Sequence, residues 1–237
     1  EGTATVEKGK TATAEITNTY TKDTGSLKLK KALGAGSPGE ANGKTYQFVV
    51  KTSDGKYVTS EGSLSDQEET IAVEADGEGV TIQGLPVGTY TVSEKKGGAE
   101  ISGYTLVVSG EGTATVEKGK TATAEITNTY TEIKTEVNGT KSWKDADNQD
   151  GKRPEKITVK LLADGKETET VAVVSKDTEW KYAFKDLPKY KNGKEIVYTV
   201  TEEPVDGYTS TVDGYNITNT HTPEKTSVSV SKSWDDD

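Results

Sequence analysis

The 237-residue chain has no cysteine, no methionine and a single histidine, His221. Without thiols there is no disulfide, no thiolate metal site and no cysteine nucleophile. One histidine leaves almost nothing from which to build a histidine metal cluster or a Ser-His-Asp triad. The missing methionine suggests a fragment whose start codon lies elsewhere. Apolar residues are scarce at 30%, with two phenylalanines, which is lean for a globular protein. A core of that kind ordinarily needs a further staple. Positive charge is also in deficit: the net charge is -10 and the pI about 4.9. Nucleic acid is therefore not an expected partner, because it requires a basic face. No signal peptide, sorting tail or apolar run of membrane-spanning length is present, so no membrane insertion is expected of this fragment. No cofactor is expected either.

What is present is repetition. "EGTATVEKGKTATAEITNTYT" occupies 1–21 and recurs letter for letter at 111–131, and "VNGTKSWKD" at 137–145 returns as "VSVSKSWDD" at 228–236. The chain thus reads as the last-strand segment of a preceding module (1–21), two whole modules (22–131 and 132–223) and the first strand of a following one (224–237). Both modules show the same order of signals. An alternating strand comes first, then a hairpin turning on Asp-Gly, which suits a two-residue turn. A run ending in Leu-Pro, a Tyr-x-Val-x-Glu strand and a final strand ending "ITNT" follow. "SDQEET" at 65–70 has the composition of one helical turn. Many short strands between glycine-rich turns read as β-sandwiches.

Strand parity raises a question about charge. In "GSLKLKKALG", Leu27, Leu29 and Leu33 share a face, and so does Lys31. An unpaired charge on that face costs several kcal/mol. The same parity turns Glu94 inward with Tyr90 and Val92, and Asn128 inward with Ile126 and Tyr130. In the second module it turns Lys141 inward with Val137 and Trp143, Glu202 with Tyr198 and Val200, and Asn219 with Tyr215 and Ile217. Each module therefore directs one Lys, one Glu and one Asn at its core. Two readings fit. One is a buried ion pair bridged by Asn. The other is covalent. Burial disfavours charged forms, leaving a nucleophilic amine, an acylable carboxamide and a carboxyl that shuttles protons as ammonia leaves.

With "GSLKLKK" and "VNGTKSW" on the lysine strand, "YTVSE" and "YTVTE" around the glutamate and "EITNT" and "NITNT" on the last strand, the chain resembles the CnaB-type (collagen-adhesin B-region) domains of Gram-positive surface adhesins and pilins. "DNQDGKRP" and "LPKYKNGKEIVYTVTE" are similar to that family too. The resemblance implies an all-β fold of tandem immunoglobulin-like sandwiches (reverse-immunoglobulin, prealbumin-like). It also implies intramolecular Lys31–Asn128 and Lys141–Asn219 isopeptide bonds, with Glu94 and Glu202 as proton shuttles. By the same mapping, Asn18 and Lys232 are unpaired equivalents in the partial modules, and segment 1–21 is a candidate to pair with a module of a neighbouring chain.

The remaining signals are weaker. "KDADNQDG" at 144–151 fails the EF-hand spacing and reads as a solvated turn, so no metal is expected. Trp143, Trp180 and Trp234 read as core or junction packing, and Glu203 has the parity of a solvated charge. The expected function is a structural stalk repeat of a cell-wall-anchored, extracellular Gram-positive adhesin or pilus-like fibre, stabilised by self-crosslinking, and not an enzyme that turns over. Its partners would be neighbouring modules of the same chain, with host protein or glycan engaged by other regions. The alternative is a ligand-binding module whose loops recognise a host protein or glycan. A hydrolase using Glu94 or Glu202 is a poor third, since no second carboxylate shares either site.

Overall fold

Alternating β-branched and polar residues produce strands along most of the chain, and the parity of each strand decides what it buries. A computed structural model describes residues 3–235. The fold is all-β and consists of immunoglobulin-like sandwiches. Two units form, Glu1–Ile101 with Leu106–Thr131 and Ser102–Thr105 with Glu132–Asp237.

The first unit contains β1 (Thr24–Leu33), β2 (Thr45–Thr52), β3 (Tyr57–Val58), β4 (Leu64–Ser65), β5 (Ile71–Glu74), β6 (Val80–Pro86), β7 (Gly88–Glu94), β8 (Tyr104–Ser109), β9 (Gly112–Val116) and β10 (Thr121–Glu132). One sheet runs β6-β1-β10-β8; the other runs β4-β3-β2-β7-β9, with β5 also paired to β2. Leu27, Leu29, Ile82 and Ile126 from the first sheet meet Tyr46, Phe48, Val50, Tyr90 and Val92 from the second in one buried core. The first and last strands lie side by side and parallel, from Ser26 opposite Thr121 to Leu33 opposite Asn128. Parallel neighbours need a long crossover, and here almost the whole module supplies it.

The second unit repeats the plan with β11 (Lys134–Lys144), β12 (Lys156–Ala163), β13 (Lys166–Ser175), β14 (Lys181–Pro188), β15 (Tyr190–Lys191), β16 (Lys194–Glu195), β17 (Tyr198–Glu202), β18 (Thr209–Asp213) and β19 (Asn216–Thr220). Its sheets run β14-β11-β19-β18 and β13-β12-β17, with β15-β16 as a small ribbon. Again first and last strands pair in parallel, Lys141 opposite Ile217 and Trp143 opposite Asn219.

Several local expectations are corrected. Asp164-Gly165 does close a two-residue hairpin, with φ of 50° and 76° and Ala163 opposite Lys166. Asp54-Gly55 does not. There Thr52 N–H donates to the Lys56 carbonyl and the loop is longer. The reason is that only Gly55 is left-handed, whereas the tight turn needs positive φ at both central residues. Residues 65–70 form no helical turn; short 3₁₀ turns occur instead at Gly39–Ala41 and Lys176–Thr178. Trp234 enters neither core and is 72% exposed.

The exact repeat separates propensity from context. At 111–131 it forms β9 and β10 and buries Val116, Ile126 and Tyr130. Within 3–21 the same letters form no strand, and Val6, Ile16 and Tyr20 are exposed. Strand propensity is identical in the two copies, so the neighbouring sheet decides.

Candidate functional site

Each module places its three inward polar residues on three different strands. In the first, Lys31 comes from β1 and Asn128 from β10. Because Lys31 is opposite Ile126, Asn128 stands two residues further along the adjacent strand, on the same face. Glu94 closes β7 and reaches across from the other sheet. Lys31 Nζ lies 2.8 Å from Glu94 Oε2, with both side chains fully shielded from solvent. Asn128 Nδ2 donates to Glu94 Oε1 at 2.7 Å. The carboxylate thus sets one oxygen against the amine, close but without hydrogen-bond angles, and gives the other to the carboxamide. Lys31 Nζ also donates to the Ile126 carbonyl at 3.3 Å and sits 4.8 Å from the Tyr46 ring centroid. The Tyr46 hydroxyl meets that of Tyr130 at 3.1 Å, and Tyr130 donates to the Ala99 carbonyl at 2.6 Å. Asn128 Oδ1 is buried without a hydrogen-bond partner.

In the second module Lys141 Nζ lies 2.8 Å from Glu202 Oε1, again with both side chains shielded. The register is the same: Lys141 is opposite Ile217, and Asn219 follows two residues on, fully buried. Here both amide atoms of Asn219 lack a hydrogen-bond partner, and the Lys141–Glu202 contact is close without hydrogen-bond angles. The Trp143 ring centroid is 4.5 Å from Lys141 Nζ.

Burial lowers the pKa of both lysines below the usual ammonium range, and the nearby Glu94 and Glu202 carboxylates oppose it only in part. Buried polar atoms without partners are costly. These sites carry that cost in duplicate, with an amine and a carboxamide on neighbouring strands. The parity expectations for all six residues agree with this placement. Asn18 and Lys232 are exposed and belong to no strand; Lys232 Nζ lies 3.2 Å from the Trp234 ring centroid.

Sequence reasoning missed Asp145. Read as part of a solvated turn, it is 2% exposed and held by Arg153 through Nε to Oδ2 at 2.9 Å and Nη2 to Oδ1 at 2.6 Å. The signal was available. Val137, Gly139, Lys141, Trp143 and Asp145 share one parity, which carries the inward face one residue past the strand. Among the described residues, no group of three metal-ligating side chains forms, and no helix is long and apolar enough to cross a membrane.

This arrangement defines sandwich modules whose first and last strands meet at a buried Lys–Glu–Asn set. Residues 137–220 match the Cna protein B-type domain family, and residues 27–131 match a family described as a domain of unknown function (DUF5979). Over 147 residues, 62% of its length, the chain is 48% identical to a collagen adhesin of Staphylococcus aureus, and it spans 11% of that protein. It is similar to the crystal structure of two B repeat units of the S. aureus collagen-binding protein. That match has 31% identity and a TM-score of 0.49, covering 84% of this chain and 49% of the other. A minor pilin of Streptococcus agalactiae is 24% identical with a TM-score of 0.35, the match covering 47% of each chain. Over residues 137–220 the chain is thus similar to the Cna protein B-type domains, and over 147 residues to a staphylococcal collagen adhesin.

Proposed function

We propose that the chain supplies load-bearing stalk repeats of an extracellular, cell-wall-anchored adhesin or pilus-like fibre, and that each module locks itself with one Lys–Asn amide bond. The observation that carries this reading is the duplicated buried set: a lysine on the first strand, an asparagine two residues along on the last, and a glutamate against the lysine amine.

The chemistry balances within the chain. Lys31 Nζ passes a proton to Glu94, and the neutral amine attacks the Asn128 side-chain carbonyl carbon. A C–N bond forms as the carbonyl π electrons move to oxygen. Glu94 returns that proton to the departing amide nitrogen and takes up the second proton of the attacking nitrogen; the amide nitrogen leaves as ammonia, the carbonyl re-forms, and Glu94 ends as the neutral acid. Lys141, Glu202 and Asn219 act alike. The product is a neutral amide, which removes the buried ammonium charge and suits a dry core. Each site reacts once, so the chain is not an enzyme in the sense of turning over. The crosslinked pairs would bind no cofactor or metal.

The test is the intact mass of the purified chain under denaturing conditions. A deficit of two ammonia is expected, with peptide mapping joining Lys31 to Asn128 and Lys141 to Asn219. An unshifted mass would show the sets to be noncovalent ion pairs and would sink the proposal.

A further inference from the structure

We propose that Asp145 is a positioning residue for the Lys141–Asn219 linkage, acting through Arg153 and Tyr208 to hold Trp143 as an aromatic cover over the Lys141 amine. This rests on the covalent reading of the second module.

Trp143 follows Lys141 by two residues on β11 and so shares its face. Its ring is 4.5 Å from Lys141 Nζ by centroid. An indole at the end of a strand, only partly buried, stays over an amine if something holds it there. Three groups surround the ring. Trp180 meets it edge-on at 5.2 Å and 75°. Tyr208 meets it at 5.0 Å and 77°. The Arg153 guanidinium lies 5.6 Å from its centroid. Asp145 fixes two of these three. It receives both Arg153 bonds, and Tyr208 Oη donates to its Oδ2 at 2.9 Å. Asn148 N–H completes the set at Oδ1, 3.1 Å away. These partners hold the Asp145 carboxyl far below the usual carboxylate range, Arg153 foremost.

The loop that delivers Arg153 is strained. Ala146, Asp147 and Asn148 are consecutive left-handed residues with φ of 49°, 57° and 60°, a conformation costly for side-chain-bearing residues. Asn148 Oδ1 accepts the Arg153 backbone N–H at 2.8 Å and closes the loop. Strain of this kind persists where the surroundings over-determine it, and here it turns the chain back on Asp145. The first module covers its amine differently, with Tyr46 from β2 pinned by Tyr130. It therefore serves as an internal control in the same polypeptide.

The cover keeps water off the amine and so favours its neutral, nucleophilic form. The charged and polar groups around Lys141 are Glu202 from β17, Asn219 from β19, the buried Tyr182 of β14, whose hydroxyl pKa is raised by burial and then by the Glu202 charge, and Arg153, Tyr208 and Asp145 behind Trp143. Loss of Asp145 frees Arg153 and Tyr208, lets the indole turn away and rehydrates the amine.

The experiment is cell-free synthesis of the full chain, quenched at intervals, with both linkages counted by mass spectrometry from pH 5 to 9. In Asp145→Asn we expect Lys31–Asn128 to form at the wild-type rate, Lys141–Asn219 to form at least tenfold more slowly, and the pH midpoint of the second reaction to move upward. Tyr208→Phe, which keeps the ring and loses one hydrogen bond, should show the same direction with a smaller effect. A purely structural role would lower the linked fraction equally at every pH. That result, or wild-type rates in both variants, overturns the proposal. If the wild-type chain links neither module, the covalent reading fails separately, and the cover is then read by ¹⁵Nζ NMR in the Asn219→Ala chain. There Asp145→Asn should move the Lys141 titration upward, and an unmoved titration overturns the proposal.

Discussion

At the scale of the residue, the central fact is a charge in the wrong place. Lys31 and Glu94 are both shielded from water, and breaking such a pair by removing one partner costs about 3–5 kcal/mol because the other charge is left uncompensated. Under the proposed reaction Glu94 would have two tasks, proton shuttle and ion-pair partner, which two variants separate. In Glu94→Gln the first module should retain its full mass, with no ammonia lost, while the second module links normally. The unlinked first module should then melt at a lower temperature than an Asn128→Ala module, which also cannot link but keeps its ion pair. Calorimetry on the two variants decides it. Equal melting temperatures would mean that Glu94 contributes nothing to the unlinked fold.

At the scale of the element, parity was legible and loops were not. All six inward residues followed from period-two alternation, because a strand that slips by one residue exposes its whole core face. The Asp145 network did not follow, because its partner Arg153 lies eight residues on, across a left-handed loop that no periodicity describes. The failed turn at Asp54-Gly55 has the same cause: two letters do not determine φ. The repeat at 1–21 and 111–131 shows the further limit, since identical letters form strands only in the copy that meets a sheet.

Two predictions belong to this scale. On β11, Gly139 faces the Tyr215 carbonyl and the Tyr182 ring, which leave no room for a Cβ, and Tyr182 Oη donates to that same carbonyl. Gly139→Ala should therefore destabilise the second module by about 1–3 kcal/mol, the range of overpacked cores. Denaturant unfolding of an unlinked background would measure it, and a neutral result would mean that Tyr182 moves aside freely. Just past β19, the His221 ring meets Asp150 Oδ2 at 3.0 Å and the Gly207 carbonyl at 2.7 Å, and Glu224 N–H donates to the same Asp150 oxygen. Asp150 first, then the Gly207 carbonyl, raise the His221 pKa, while His221 lowers that of Asp150. A raised histidine contributes stability that is fully present below its unfolded value of about 6.5 and is lost as pH rises through the folded value. A lowered aspartate contributes above about 3.9, and that contribution is lost as pH falls through its folded value. The clasp is thus strongest between about pH 4 and 6.5. The stability difference between wild type and His221→Gln should shrink from pH 6 to pH 9; a constant difference would remove the histidine from the account.

At the scale of the whole molecule, the question is what tension does to a module. In the first, β1 and β10 are parallel neighbours, so force entering at the start of β1 and leaving at the end of β10 shears their hydrogen bonds together instead of unzipping them singly. The proposed amide joins the same two strands. It closes loops of 128 − 31 = 97 and 219 − 141 = 78 residue steps. For loops near 100 residues, chain entropy alone would add about 4–5 kcal/mol by analogy with a disulfide. The mechanical effect of such a bond would exceed the thermodynamic one, because residues between the anchors would leave the load path. Stretching single chains from end to end should therefore release no contour length from within either loop. The Asn128→Ala, Asn219→Ala double variant should release about 340 Å and about 270 Å in two steps, at up to about 3.5 Å per residue. Steps of that size in the wild-type chain would mean that the sandwiches bear load by hydrogen bonds alone. A stalk role would then need many modules unfolding in series as shock absorbers, not a rod that does not yield.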